Sequence, residues 1–184
     1  MKEQFQYIMK LCSLFLQYPD SSWVRSEEIK EMLDLIEDGP IKESLLSFNG
    51  YLSEHLIDQL CEHYVNTFDL NDKTTLYLTY YQLKDQKERG QALLQIKEIY
   101  SKAGLEINST ELPDYLPMIL EFIAIAPTEI AQEMMIQQMP NMEKLNEELV
   151  KNQNPYRYIL QACLMTIQTM MQPNRSERLG GVSS

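Results

Sequence analysis

The chain has 184 residues, 44% of them apolar and 23% charged, which is enough apolar material for one domain with its own core. Its formal net charge of −11 argues against nucleic acid or an anionic membrane surface as a partner, because both attract clustered lysine and arginine. The sequence has no secretory signal pattern and no apolar run long enough to span a bilayer, so it predicts a cytoplasmic protein.

The first third of the chain is predicted to be helical from the spacing of its apolar residues. Residues 5–16 repeat apolar side chains every three or four positions, and the helix should end at Tyr18-Pro19. Ser21 or Ser22 is expected to cap a second helix that ends before Gly39-Pro40.

A third helical segment is predicted from residue 41 to residue 68, with Gly50 as a candidate break. Residues 69–73 should form a loop. The aromatic segment 76–81 is predicted to be a helix, because no partner strand for it is visible.

Asp85 is expected to cap a strong helix that ends at Gly104, a natural residue for the position just after a helix. A linker then leads to an apolar helix that should end near Pro127. Shorter helices are predicted at 128–138 and 141–151, and a last one begins after Asn154-Pro155.

These elements predict an all-α fold, a multi-helix bundle formed by a single domain of residues 1–172. The polar residues 173–184 are expected to be a disordered tail. Cys12, Cys61 and Cys163 each lie in an apolar helical stripe, which is typical of reduced, buried thiols in a cytosolic protein.

The sequence offers little chemistry for catalysis. It contains no phosphate-binding loop, no nucleophile motif and no metal-ligand spacing. His55 and His63 lie eight residues apart on one predicted helix, too far for one metal ion, and are expected to be exposed. We therefore expect no enzyme activity, no cofactor and no metal site, although a small helical hydrolase or metal protein remains a third, less favoured class.

Two compositional features favour a binding protein. Between residues 105 and 150 there are nine acidic residues and one base, Lys144. This pattern fits either solvated helix faces or an acidic rim that attracts a basic, apolar peptide. Methionines cluster in the last third, where they could fill an irregular core or form an adaptable peptide-binding surface.

Several motifs resemble the nitrate reductase delta-subunit family (NarJ), whose members are molybdenum-cofactor assembly chaperones. The resemblance covers about residues 5–125. The motifs that carry it are Leu16-Gln17-Tyr18-Pro19-Asp20, Tyr64-Val65-Asn66-Thr67-Phe68-Asp69, Leu76-Tyr77-Leu78-Thr79-Tyr80-Tyr81, Arg89-Gly90-Gln91-Ala92-Leu93-Leu94, Glu111-Leu112-Pro113-Asp114-Tyr115-Leu116-Pro117 and Leu120-Glu121-Phe122.

The resemblance implies the all-helical fold shared by chaperones of twin-arginine-exported redox enzymes. It implies a client, the catalytic (alpha) subunit of a respiratory nitrate reductase, whose amino-terminal segment would be bound while the molybdenum cofactor is inserted. The chaperone would be absent from the finished enzyme, and its partners would extend to the machinery that delivers the cofactor. The alternative is a helical peptide-binding adaptor, or a chaperone of a different molybdoenzyme.

The candidate peptide-binding residues are Tyr77, Tyr80, Tyr81, Asp85, Arg89, Leu112, Asp114, Tyr115, Leu116 and Glu121. The three tyrosines cannot share one helix face, so at least one should be at the surface. Asp114 is expected to cap the helix that follows it or, slightly less readily, to contact the ligand. Arg89 is expected to pair with Asp69, Asp85 or Asp114 and so to hold the loops together.

One segment departs from the family pattern. Where the family often has Gly-Asp-Thr-Arg, this chain has Lys84-Asp85-Gln86-Lys87 followed by Glu88. Lys87 keeps the positive charge without the bidentate geometry of arginine. Lysine at position 84 disfavours a tight turn with positive φ.

Overall fold

The computed structural model describes residues 2–84, 86–107 and 109–171, and within these ranges the chain is helical, without a strand. The side chains of Lys2, Tyr81 and Gln82 lie outside this description. The helices are α1 (Lys2–Phe15), α2 (Glu27–Asp34), α3 (Pro40–Glu54), α4 (Ile57–Tyr64), α5 (Tyr80–Leu83), α6 (Lys87–Lys102), α7 (Leu116–Ile125), α8 (Thr128–Lys151) and α9 (Arg157–Met171). A π-helical turn, Val65–Asp69, extends α4.

Helices α1 and α9 lie at the centre of the bundle. Helix α1 packs against α7, α9 and α2, while α9 also contacts α3 and α8. On the buried face of α1, Met9, Cys12 and Phe15 have no exposed surface. The predicted all-α fold is therefore confirmed in the described residues, none of whose helices is long and apolar enough to cross a membrane.

Two local predictions about the first half of the chain were wrong. The cap of α2 is Ser26, whose hydroxyl accepts a hydrogen bond from the Ile29 amide, and not Ser21 or Ser22. Gly50 lies inside α3, and the chain breaks five residues later at His55. Because Phe48 and Leu52 are buried on either side, packing offsets the roughly 1 kcal/mol that glycine costs within a helix.

The segment 128–151 is one helix and not the predicted pair. Pro140 lies inside α8, where it removes a backbone hydrogen bond and costs about 3 kcal/mol. The helix continues because Met135 and Met142 are both buried, on either side of Pro140, in the same core. Burial of an apolar side chain contributes about 1.5–3 kcal/mol, so the two contacts together offset the cost of the proline.

The aromatic segment 76–81 is helical only from Tyr80 onward. Residues 76–79 are irregular, and Tyr77 forms an isolated antiparallel bridge with Tyr115. The pairing partner of this segment, which the sequence did not reveal, is thus the single residue Tyr115. The helix after this segment, α6, begins after Gln86, and Gly104 follows it with φ +70°, as predicted.

The predicted cap Asp85 and the predicted tail 173–184 lie outside the described residues. All three cysteines are free thiols; Cys12 and Cys163 are buried, whereas Cys61 is partly exposed. Burial, together with the adjacent Cys163 thiol, raises the pKa of Cys12, so this thiol is kept protonated.

The two histidines are not on one helix and are not fully exposed, which corrects the prediction. His55 follows α3, and His63 lies in α4. The Asn154 amide donates to His63 Nε2 at 3.1 Å and to the Thr67 hydroxyl at 2.9 Å. The Tyr51 hydroxyl lies against His63 Nδ1. His63 therefore ties α4 to α3 and to the turn before α9 as a neutral ring.

We expect the free energy of unfolding to fall as the pH drops below about 6.5, the ordinary pKa of histidine. Burial, and secondarily His55, lowers the pKa of His63 in the folded state. A lowered histidine pKa stabilises the fold above the unfolded pKa, and this stabilisation is lost as the pH falls through the folded value. Chemical denaturation measured between pH 5 and pH 8 checks this.

A His63→Gln variant separates this effect from other titrations. Glutamine can still accept from Asn154 but does not titrate, so the slope below pH 6.5 should flatten. Asp69 acts in the opposite direction, because burial raises its carboxyl pKa and acidification then favours the fold. An unchanged slope in His63→Gln would assign the pH dependence to another group.

Candidate functional site

The centre of the candidate site is a short contact between two segments that lie more than thirty residues apart. The Leu78 amide donates to the Asp114 carbonyl at 3.1 Å, and the Leu116 amide donates to the Leu76 carbonyl at 2.9 Å. This pair of bonds places Tyr77 opposite Tyr115. The two most specific sequence motifs therefore meet in space.

Asp114 stabilises this contact between the two segments, and it is completely buried. Its Oδ2 accepts hydrogen bonds from the Thr79 amide at 3.0 Å and the Thr79 hydroxyl at 2.6 Å. The expectation that Asp114 caps α7 was wrong, because Tyr115 occupies the cap position and no side chain caps that helix. Asp114 instead fixes the start of α5, the helix that follows Thr79.

Arg89 completes the buried group. Its Nε donates to the Thr79 hydroxyl at 3.1 Å, and a terminal nitrogen lies 3.6 Å from Asp114 Oδ2. Its guanidinium also lies over the Tyr80 ring, 5.3 Å from the centroid. The predicted pairing of Arg89 with one of three aspartates is confirmed for Asp114. We call Thr79, Arg89 and Asp114 the buried polar node.

Four tyrosine side chains adjoin one another next to the buried polar node. The Tyr77 and Tyr115 rings lie 5.4 Å apart, and the Tyr115 hydroxyl is 3.3 Å from that of Tyr64. Tyr64 is buried and packs edge-on against Tyr18, whose side chain is 52% exposed. The surface therefore consists of two half-exposed rings and one largely exposed ring, supported by a buried fourth.

Three carboxylates border these rings. The Tyr77 hydroxyl donates to Glu111, and Glu121 accepts weak hydrogen bonds from Ser13 and Gln17 at 3.3 and 3.4 Å. Burial raises the pKa of the Tyr115 hydroxyl. The hydrogen bond with Tyr64 lowers this pKa, and the carboxylates of Glu111, Asp69 and Glu121 raise it. We call Tyr18, Tyr77, Tyr115, Asp69, Glu111 and Glu121 the tyrosine surface.

The charge of the tyrosine surface is negative and uncompensated by the described bases. None of the ion pairs among the described residues includes Asp69, Glu111 or Glu121. Burial first, and then the Glu111 charge, raises the pKa of Asp69. A cation placed here would relieve this repulsion while lying against aromatic rings.

The predicted site residues fall into distinct groups. Tyr77, Tyr115 and Glu121 belong to the tyrosine surface, and Leu112 next to it is 41% exposed. Arg89 and Asp114 lie beneath the surface in the buried polar node, with Tyr80 packed against Arg89. Leu116 is completely buried in the core and is therefore not accessible to a peptide. Asp85 and the Tyr81 side chain lie outside the described residues.

Sequence reasoning missed Tyr18, Glu111 and Thr79 as members of the site. Tyr18 and Thr79 both lie in motifs that carry the family resemblance, but neither was assigned to the site. The partner of Thr79, Asp114, is 35 residues away in the sequence. Glu111 was part of the motif but was counted only in the overall acidity.

The clustered methionines and the acidic residues of the last third are each distributed between core and surface. Met134, Met135 and Met142 are buried in the core, whereas Met139, Met165, Met170 and Met171 are only partly buried. The acidic residues also divide, because Asp114 is buried while Glu111 and Glu121 are exposed at the tyrosine surface. Among the described residues, no group of three or more histidine, cysteine or acidic side chains could hold a metal ion.

The turn before α6 is present despite its lysine. Lys84 has φ +44°, and its amide donates to the Tyr80 carbonyl at 2.9 Å. The expectation that lysine would resist such a turn was wrong. Hydrogen bonds at both ends of the turn outweigh the strain, since the Gln86 amide also donates to the Leu83 carbonyl.

We expect Lys84→Gly to raise the free energy of unfolding by about 1 kcal/mol, and the melting temperature by about 2–4 °C. Glycine adopts this conformation without the clash of a Cβ atom. The control is Lys84→Ala, which removes the charge and the long side chain but keeps the Cβ atom. Equal stabilisation by alanine in thermal denaturation would show that backbone strain is not the cause.

These observations define a class: a helical binding protein whose most distinctive surface is aromatic and acidic. Residues 37–157 match the family described as nitrate reductase delta subunit. A relative in Bacillus subtilis (strain 168), named "probable nitrate reductase molybdenum cofactor assembly chaperone NarJ", is 36% identical over 167 residues, which cover 90% of each chain. The chain therefore belongs to the nitrate reductase delta subunit family, and it is a chaperone rather than an enzyme.

Two relatives from Escherichia coli (strain K12) are more distant. The probable assembly chaperone NarW is 30% identical over 158 residues, covering 85% of this chain and 66% of NarW. The assembly chaperone NarJ is 28% identical over 169 residues, covering 90% of this chain and 71% of NarJ. Each of these alignments is longer than the family match, which covers residues 37–157.

Proposed function

We propose that this chain is a dedicated cytoplasmic assembly chaperone of a respiratory nitrate reductase. It binds the amino-terminal segment of the catalytic (alpha) subunit and holds the apoenzyme open while the molybdenum cofactor is inserted. It does not remain in the finished enzyme. Family membership supports the chaperone role, and the tyrosine surface supports the binding of a peptide.

The observation that carries the proposal is the combination of exposed rings and unpaired carboxylates on one surface. Tyrosine provides a large contact area with little conformational freedom to lose, which suits the recognition of a peptide. The Asp69, Glu111 and Glu121 carboxylates favour a peptide that carries lysine or arginine. A peptide with both apolar and basic residues fits both properties.

The buried polar node gives this surface a rigid base. Asp114 fixes the backbone next to Tyr115, and Pro113 and Pro117 are buried on either side. The Ser13 hydroxyl of α1 donates to the Pro117 carbonyl in the first turn of α7 at 2.8 Å and so anchors the end of this loop. Because the loop is already ordered, less entropy is lost when the peptide binds. Asp114 and Arg89 act here as positioning residues and not as peptide contacts.

Isothermal titration calorimetry tests the proposal with a synthetic peptide that matches the first residues of the catalytic subunit encoded by the same organism. Apolar burial should give a negative heat-capacity change. Raising the salt concentration should weaken binding modestly, because the carboxylates are exposed and screened. A peptide of the same composition in scrambled order is the control. No binding at millimolar peptide would overturn the proposal.

A pull-down from nitrate-respiring cells identifies the client. Recovery of the nitrate reductase catalytic subunit in its cofactor-free form is expected. Recovery of another molybdoenzyme in its place would keep the chaperone role and replace the client.

A further inference from the structure

The short segment that follows α1, residues 16–19, is held in place by the end of α4. The Tyr64 hydroxyl donates to the Leu16 carbonyl at 3.1 Å. The Cys61 thiol donates to the Pro19 carbonyl at 3.4 Å. Cys61 and Tyr64 are three residues apart and therefore lie on one face of α4. One helix face thus binds both ends of the segment.

Tyr18 lies inside this segment, and its backbone has a further constraint on each side. Its carbonyl accepts from the Trp23 indole N–H at 3.3 Å. The next residue is Pro19, which is buried and which disfavours a helical conformation of Tyr18, because the proline Cδ atom would clash with the preceding residue. The backbone of Tyr18 is therefore fixed before a ligand binds.

The side chain of Tyr18, in contrast, is 52% exposed. Its ring packs edge-on against the buried Tyr64 ring, with the centroids 5.4 Å apart. The neighbouring Cys61 thiol, ahead of burial, raises the pKa of the Tyr18 hydroxyl, so this thiol lies beside the phenol as well as the backbone. An exposed aromatic ring on a fixed backbone loses little conformational entropy when it contacts a ligand.

We propose that Cys61 and Tyr64 are positioning residues that present the Tyr18 ring to the client peptide. This inference rests on the proposed function, because it concerns one edge of the same tyrosine surface. Tyr18 is the contact residue, and the two α4 side chains act on the peptide through it. Without their hydrogen bonds, the segment 16–19 would have to be ordered when the peptide binds, and affinity would fall.

Two substitutions of Cys61 test the bond to Pro19 by calorimetry with the synthetic client peptide. Cys61→Ala removes the donor and should weaken binding by about two- to five-fold, the effect of losing one hydrogen bond. Cys61→Ser has a similar size and can still donate to the Pro19 carbonyl, so its affinity should stay close to that of the unaltered protein. Equal losses in both variants would contradict the proposal.

Tyr64→Phe tests the second donor. It keeps the ring that packs against Tyr18 and loses the hydrogen bond to Leu16, so affinity should fall by about two- to ten-fold. Tyr51→Phe is the matched control, because the Tyr51 hydroxyl lies against His63 and not against segment 16–19. It should leave the affinity unchanged, and the same affinity in both variants would count against Tyr64.

Both losses should disappear when the Tyr18 ring is absent. Tyr18→Ala alone should weaken binding by about ten-fold. Adding Cys61→Ala or Tyr64→Phe should then cause no further loss, because no ring remains to be positioned. Additive losses would show that these residues support the fold in general, and the proposal would be wrong.

Alkylation of Cys61 by iodoacetamide gives a readout that does not depend on measured affinity. Cys12 and Cys163 have no exposed surface, so Cys61 is the thiol that reacts in the folded chain. Saturating client peptide should cover Tyr18 and slow this reaction several-fold, whereas the scrambled peptide should not. A peptide that binds without slowing alkylation would overturn this inference and leave the proposed function intact. A peptide that does not bind would overturn both.

Discussion

Replacing Asp114 with alanine is expected to lower the free energy of unfolding by about 3–5 kcal/mol, the largest effect of any single change considered. The change leaves the Thr79 amide buried without its acceptor and Arg89 without its counter-ion. Because one kcal/mol corresponds to about 2–4 °C in a chain of this size, the melting temperature should fall by roughly 10 °C. Thermal and urea denaturation followed by circular dichroism measure both quantities.

Asp114→Asn is the matched control. Its amide oxygen can still accept from Thr79, but the charge that faces Arg89 is lost, so the destabilisation should be smaller than that of alanine. Because Asp114 is completely buried, neither variant should change the salt dependence of peptide binding in protein that stays folded. A loss below 1 kcal/mol in Asp114→Ala would show that the buried polar node does not hold the loop.

Replacing Tyr115 with alanine is expected to weaken binding of the client peptide by ten- to one hundred-fold. This corresponds to about 1–3 kcal/mol, the usual effect of removing a central aromatic contact from an interface. Tyr115 fits this role because its ring is half-exposed and packs against Tyr77 in the middle of the tyrosine surface. Calorimetry well below the melting temperature separates this loss of affinity from any loss of stability.

Two further variants show whether the loss of affinity comes from the Tyr115 ring. Tyr115→Phe keeps the ring and loses only the contact with the Tyr64 hydroxyl, so its affinity should stay close to that of the unaltered protein. Tyr7→Ala removes a more exposed tyrosine, 39%, from the surface of α1 and should leave binding unchanged. Affinity within two-fold of normal in Tyr115→Ala would remove the tyrosine surface from the peptide site.

The prediction of helices from sequence succeeded where local patterns and tertiary packing agree. The apolar repeat of α1 and the glycine after α6 both specify their elements within a few residues of the chain. Prediction failed where a distant contact overrides a local preference. Pro140 lies inside α8 because the helix is held on both sides by buried methionines, and Lys84 accepts positive φ because backbone hydrogen bonds close its turn.

In the candidate site, the sequence identified several residues but did not reveal where the fold places them. The motifs around Tyr77 and Asp114 could be recognised from the sequence, as could the pairing of Arg89 with an aspartate. Their roles could not, because the exposure of a side chain depends on which segments cover it. Asp114 and Leu116 are buried while Tyr115 between them is half-exposed.

The sequence by itself determined the helical class, the family motifs and the acidic, binding character of this protein, because each depends on composition or on residues close together in the chain. Only the tertiary structure decided that Thr79, Arg89 and Asp114 form a buried node and that Tyr18 joins Tyr77 and Tyr115 on one surface. Tyr18 and Tyr115 are 97 residues apart in the sequence and are joined through Tyr64, which contacts both. No local periodicity encodes such a pairing, since it is fixed by how the helices pack around α1 and α9.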